Sequence, residues 1–187
     1  MLKTHKSKLL ATAAVITALA GVSVANADTY NFGTTPTAEE IAAVDIDVMP
    51  DGRGLPAGSG TATAGETVYK ETCLACHGED LQGVKGTGAA ALTGGRGSIG
   101  TEKTKKTVES YWPYASTVFD YVKRAMPFNT PGSLTNDQIY AVTAYILHKG
   151  NIIGKDDVLD ASTLAKVEMP NKDGFISDPR PDVFNYK

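Results

Sequence analysis

The only two cysteines in 187 residues stand three apart with a histidine directly behind them, in Cys73-Leu74-Ala75-Cys76-His77. Nothing else in the chain restricts its fold as tightly. On one helical turn, thiols at this spacing project to the same side and the neighbouring imidazole sits beside them. Two thioether bonds to a porphyrin, with the ring nitrogen on its iron, use that arrangement, and C-x-x-C-H reads as covalent attachment of one haem c. Three other uses of the spacing compete with haem: a redox dithiol, a plain disulfide, and half of a zinc site. A redox dithiol belongs in a βαβ setting, which the surrounding pattern lacks. Zinc needs further Cys or His ligands, and the chain holds two cysteines and three histidines in all. The hydrophobic centre of such a chain is the porphyrin itself.

The N-terminal segment leads us to expect a chain outside the cytoplasm. Lys3, Lys6 and Lys8 precede an apolar run from Leu9 to Val24, and Ala25-Asn26-Ala27 closes the run with the small-x-small form of a cleavage site. Residues 1–27 therefore read as a secretory signal peptide, with the mature chain starting at Asp28 in an oxidising compartment, the periplasm in a bacterium. The alternative is an uncleaved anchor, but the run is near the lower length limit for a span, and Thr12, Thr17 and Ser23 dilute it. No membrane span is expected in the mature chain. Without the three signal lysines, fifteen basic residues face twenty-one acidic ones, a net charge of −6. That balance disfavours nucleic acid and anionic lipid as partners.

Hydrophobic periodicity divides the rest. Residues 28–60 are rich in Thr, Gly, Pro and Asp and read as an N-terminal arm, mostly loop, with one short helix started by the capping box Thr37-Ala38-Glu39-Glu40 and seated by Ile41 and Val44. A haem domain is expected over 61–150. Its first helix, Gly65 to Ala75, carries both cysteines at its end and stops at Gly78. The glycine-rich stretch from Gly83 to Gly100 forms no regular structure but suits a path around a flat cofactor. A helix from Ala115 to Ala125 ends at Met126-Pro127, because proline disfavours helical geometry in the residue before it. The clearest helix, Asn136 to Lys149, has the capping box Thr135-Asn136-Asp137-Gln138, an apolar face including Ile139, Val142, Tyr145 and Ile146, and Gly150 to stop it. Residues 151–187 form a C-terminal arm, with one helix around Ala161 to Val167 and an extended end at Asp178 to Asp182.

The iron's sixth position separates electron transfer from catalysis. Met126 lies 49 residues past His77, between two helices and before a proline, where a thioether can cross the far face of a haem. A methionine taken alone is more often a core filler. Met49 and Met169 fall in the arms, His5 leaves with the signal, and His148 reads as a charge at a helix C-terminus. The candidate metal ligands are thus His77 and Met126.

With Gly65, Tyr69 and Cys73 four apart and Tyr145 on the last helix, the stretch from Thr61 to Gly150 resembles a class I cytochrome c. The resemblance implies an all-α fold, here a single such domain with extended N- and C-terminal arms. A narrower likeness lies in Met49-Pro-Asp-Gly-Arg-Gly-Leu-Pro-Ala-Gly-Ser-Gly, in Tyr111-Trp-Pro-Tyr-Ala with Phe119-Asp-Tyr-Val-Lys-Arg-Ala-Met-Pro-Phe, and in Val167-Glu-Met-Pro-Asn-Lys-Asp-Gly-Phe. These segments resemble the monohaem cytochrome subunits of periplasmic sulfite and sulfane dehydrogenases. That likeness implies electrons taken from a molybdenum-cofactor dehydrogenase and passed to another cytochrome. One position departs from the family: Ala91 stands where many class I members have a proline whose carbonyl accepts the proximal histidine's N–H. Arg96 and Trp112 are candidate donors to haem propionates.

The expected function is one-electron transfer through a saturated iron, with no catalytic residue, so the carboxylates and hydroxyls along the chain read as surface. The competing reading is an open-site haem enzyme or gas sensor in which Met126 does not ligate; another is an electron carrier for a different periplasmic dehydrogenase. The arms are expected to wrap a partner or to pack back on the haem domain, disorder being the remaining possibility.

Overall fold

The computed structural model describes residues 33–176; the signal segment, its cleavage site and the Asp178–Asp182 stretch lie outside them. The described residues divide into two units, one ending at Val44 and the other beginning at Asp45. In the first, helix α1 spans Ala38–Val44. Its capping box is closed both ways: Glu40 N donates to Thr37 Oγ1 at 3.2 Å, and Thr37 N donates to Glu40 Oε2 at 2.8 Å. The apolar seat expected for it is missing, since Ile41 and Val44 are 49% and 78% exposed.

The second unit is built on helices α2 (Ala62–Thr72) and α5 (Asn136–Lys149), with α4 (Ala115–Ala125) laid against α5. Gly65 allows α2 to approach α5 closely: a Cβ there would lie inside the contact distance of Ala141 O and 2.9 Å from Tyr145 Cβ. The rings of Tyr69 and Tyr145 then meet across the crossing at 5.1 Å, and Tyr69 OH donates to Gly78 O at 2.7 Å. Phe119 and Tyr140 join α4 to α5 at 4.5 Å between centroids. Tyr69, Phe119 and Tyr140 are fully buried, and side chains of this kind stabilise by about 1.5–3 kcal/mol each on leaving water.

Helices α4 and α5 keep the ends expected from the sequence. Thr135 and Gln138 close the second capping box in both directions. Gly150 follows α5 with φ −82°, however, and the left-handed residue is Asn151, φ 52°. A Cβ on Gly150 would meet the Glu109 side chain at 3.4 Å, an ordinary contact, so neither a left-handed turn nor a close approach requires glycine there.

The first helix does not run through the cysteines. It stops at Thr72, Cys73 has φ −118°, and a separate one-turn helix α3 covers Leu74–His77. No glycine or proline marks the break. Thr72 Oγ1 donates to Val68 O at 2.7 Å, the back-bonding that bends helices. Gly78, φ 80°, ends α3 as expected.

The arms supply the remaining differences. Strand β1 (Ser59–Thr61) pairs antiparallel with β2 (Val158–Asp160), Gly60 opposite Leu159, adding a two-stranded sheet to an otherwise helical fold. In place of a helix over 161–167 there is one 3-10 turn, Leu164–Lys166. Asp160 takes the preceding amides, accepting from Ser162 N at 2.7 Å and Thr163 N at 3.0 Å, and the hydrogen bonds from Ser162 hold its carboxyl below the usual range. Val48 from one arm and Leu159, Leu164 and Met169 from the other are buried in the same core as the helices.

Candidate haem site

Cys73 is the N-cap of α3, Cys76 lies within it, and the two are not joined to one another. Burial pushes the Cys73 thiol above its ordinary value, against a smaller opposing effect from the Thr72 hydroxyl. A sulfur set against apolar surface suits a thioether better than a reactive thiolate. No group of three or more His, Cys, Asp or Glu able to hold a metal ion occurs among the described residues, so the zinc alternative finds no further ligands there.

The imidazole of His77 is oriented by its far nitrogen. Nδ1 lies 3.0 Å from Ala90 O; a carbonyl only accepts, so Nδ1 carries the proton and Nε2 keeps its lone pair for a metal. The acceptor is thus the carbonyl of Ala90, one residue before the Ala91 position expected from the sequence. The loop behind the acceptor is fastened at successive residues. Leu92 N donates to Leu81 O at 2.8 Å, Lys105 Nζ to Thr93 O at 3.0 Å, Gly94 N to Glu109 Oε2 at 2.6 Å, and Thr107 Oγ1 to Gly94 O at 2.8 Å. An anchored acceptor of this kind raises the basicity of a ligating histidine.

Arg96 belongs to that fastening. Its Nε donates to Glu109 Oε1 at 3.1 Å and one terminal nitrogen to Gly150 O at 2.6 Å, which ties it to the end of α5. Trp112 stands edge-on to Tyr121, 5.6 Å between centroids, and is half-buried. His148 Nδ1 lies 3.3 Å from Ile153 O beyond its helix end, and Met169 is buried in the core at 2% exposure.

Met126 caps α4, with its N–H donating to Val122 O at 3.1 Å and extended angles of φ −126° and ψ 147°, before a cis peptide to Pro127. Its side chain is half-buried. Leu74 beside the cysteines, Leu92, Trp112, Met126 and Leu134 all pack on the core while remaining partly uncovered. Two free thiols, an imidazole with a free Nε2 and this apolar margin fit a covalently bound haem, with the Met126 thioether a candidate second ligand.

One group of side chains escaped the sequence reading. Ser116, Asp120 and Arg124 recur four apart on α4, and the first two are not surface residues: Ser116 is fully buried and Asp120 is 9% exposed. They meet the N-terminal arm. Ser116 Oγ donates to Pro50 O at 3.0 Å, Val48 N to Asp120 Oδ1 at 3.1 Å, and Arg124 Nη1 to Asp47 Oδ1 at 2.8 Å, while Arg124 also pairs with Asp120 Oδ2. The period of four is visible in the sequence; the arm it binds is not.

A family model for cytochrome c matches residues 62–149. A chain in the crystal structure of the sulfane dehydrogenase SoxCD from Paracoccus pantotrophus is 40% identical, with a TM-score of 0.74 over 81% of this chain and 73% of that one. The CcoP subunit of cbb3-type cytochrome c oxidase from Rhodobacter capsulatus is 48% identical over 42 residues, which are 22% of this chain and 14% of that subunit. The chain thus spans a small part of the curated relatives it matches.

Proposed function

Because this chain belongs to the cytochrome c family, as a class I member with covalently attached haem c and an electron-transfer role, we propose that it carries single electrons in the periplasm from a sulfite or sulfane dehydrogenase to another cytochrome. Haem c supplies a one-electron iron couple. Cys73 and Cys76 would tether it by thioethers, His77 Nε2 and the Met126 sulfur would ligate its iron, and Ala90 O accepts the His77 Nδ1 proton. Thioether ligation by Met126 raises the potential relative to a histidine pair and excludes small ligands. The chain needs to move no proton and bind no substrate.

The observation that carries the ligand assignment is the His77 Nδ1 to Ala90 O contact at 3.0 Å, which leaves only Nε2 for a metal. The partner assignment is supported by the 40% identity to a chain of the sulfane dehydrogenase SoxCD.

Carbon monoxide and cyanide test the saturated iron. Both are expected to bind slowly and only with loss of the methionine-to-iron charge-transfer band; prompt binding at rest would favour an open-site enzyme or sensor. Co-purification from the native host tests the partner. A molybdenum-cofactor dehydrogenase is expected in the complex, and recovery of an alcohol or sugar dehydrogenase would replace that reading.

A further inference from the structure

The N-terminal arm meets α4 in an orderly way: Pro50 is tied to Ser116, Val48 to Asp120 and Asp47 to Arg124, so the segment 47–50 runs antiparallel along one stripe of the helix. Asp120 is a nearly buried carboxylate whose two oxygens serve different masters, Oδ1 the Val48 amide and Oδ2 the Arg124 guanidinium. Arg124 in turn bridges Asp120 to Asp47. Val48 is itself buried at 7% exposure, so apolar contact adds to the polar ties.

The stripe ends two residues before Met126, whose amide is still bonded into the helix through Val122 O at 3.1 Å. Helix C-termini fray, because their last carbonyls lack partners. A methionine on a frayed end would leave an iron readily. Here the last turn is bound from outside by a charged bridge to a separate segment of chain.

We propose that Asp120 and Arg124 are positioning residues, which use the strap 47–50 to hold the end of α4 and so keep the Met126 sulfur on the haem iron. The proposal rests on the ligand assignment made above. It gives the N-terminal arm a part in the haem's chemistry and explains why a carboxylate is buried on a helix face with no catalytic task. Strap release raises the fraction of molecules with Met126 displaced, and the apparent dissociation constant of an external ligand falls in proportion.

The test uses mature holoprotein and imidazole as the probe. Val48→Pro removes the N–H given to Asp120 together with the buried valine side chain, and Asp47→Ala removes one arm of the bridge from an exposed position. Each is expected to tighten imidazole binding by roughly fivefold to tenfold, the scale of one charge-assisted hydrogen bond partly transmitted, and to weaken the methionine-to-iron charge-transfer band. Arg124→Lys, which keeps the charge, is expected to fall between wild type and Arg124→Gln. Unchanged imidazole affinity in Val48→Pro overturns the proposal, whether or not amide exchange shows the strap released. Met126→Ala is the control for the underlying assignment: loss of the band there with no effect of the strap variants refutes the strap alone, and an intact band refutes the ligand and the strap together.

Discussion

Replacing Gly65 by alanine sets two effects of opposite sign against each other. In an unencumbered helix the change stabilises by about 1 kcal/mol, because glycine loses more backbone freedom on folding. Here the new methyl would lie inside the contact distance of the Ala141 carbonyl oxygen and 2.9 Å from Tyr145 Cβ, whereas carbon atoms pack at about 3.5–4.0 Å. Both obstacles are backbone or Cβ atoms and cannot rotate away. α2 must therefore back off α5 by at least about 0.6 Å, and a gap of that size forfeits a quarter or more of each dispersion contact along the crossing. Overpacking of this kind costs about 1–3 kcal/mol, and loosening the Tyr69–Tyr145 contact adds to it. The net expectation is a loss of about 2 kcal/mol, a large share of the 5–15 kcal/mol that holds an ordinary domain together. Urea unfolding of the holoprotein, followed by far-ultraviolet circular dichroism, measures it as a lower midpoint with unchanged slope. A midpoint equal to or above that of wild type would refute the close-approach argument, because propensity would then have won.

Three further outcomes are expected. Cys73→Ala and Cys76→Ala should each leave a haem held by one thioether or none; pyridine haemochrome spectra after acid extraction would show the shift or the loss of covalent pigment. Burial pushes the Tyr140 hydroxyl up to about 12 and that of Tyr69 further still, so the folded chain keeps protons that the unfolded chain releases near 10. Stability from this source is complete below about pH 10 and falls as pH rises toward 12, so Tyr140→Phe should flatten the alkaline limb of a urea-midpoint profile, and an unaltered limb would contradict the burial. Thr135→Ala removes the side chain that caps α5 and should cost about 1 kcal/mol by the same unfolding assay.

Much of the site was legible because its signals are local. C-x-x-C-H names its chemistry within five residues, and Met126-Pro127 both ends α4 and marks the candidate ligand. The capping boxes at Thr37 and Thr135 each close over three residues, and the structure draws them as expected. Other features were out of reach. The break at Cys73 depends on a threonine hydroxyl turned back on its own helix, a choice that residue type leaves open. The bonds of Arg96 to Glu109 and Gly150 O join residues far apart in the chain, and Ser116 and Asp120 looked like surface until the arm was laid on them.

By itself the sequence determined the chemistry of attachment, the identity of the candidate axial ligands, and the extents of α4 and α5, since each is specified by groups within a turn or two of one another. Only the tertiary structure decided that Ala90 O meets His77, that Gly60 pairs with Leu159, and that segment 47–50 straps the helix carrying Met126. Such pairings join groups far apart along the chain, and periodicity records which face of an element is apolar without naming what will cover it. Whether a carboxylate such as Asp120 is solvated or buried is settled only when that cover arrives, because its desolvation is tolerable only with a guanidinium and an amide already in place.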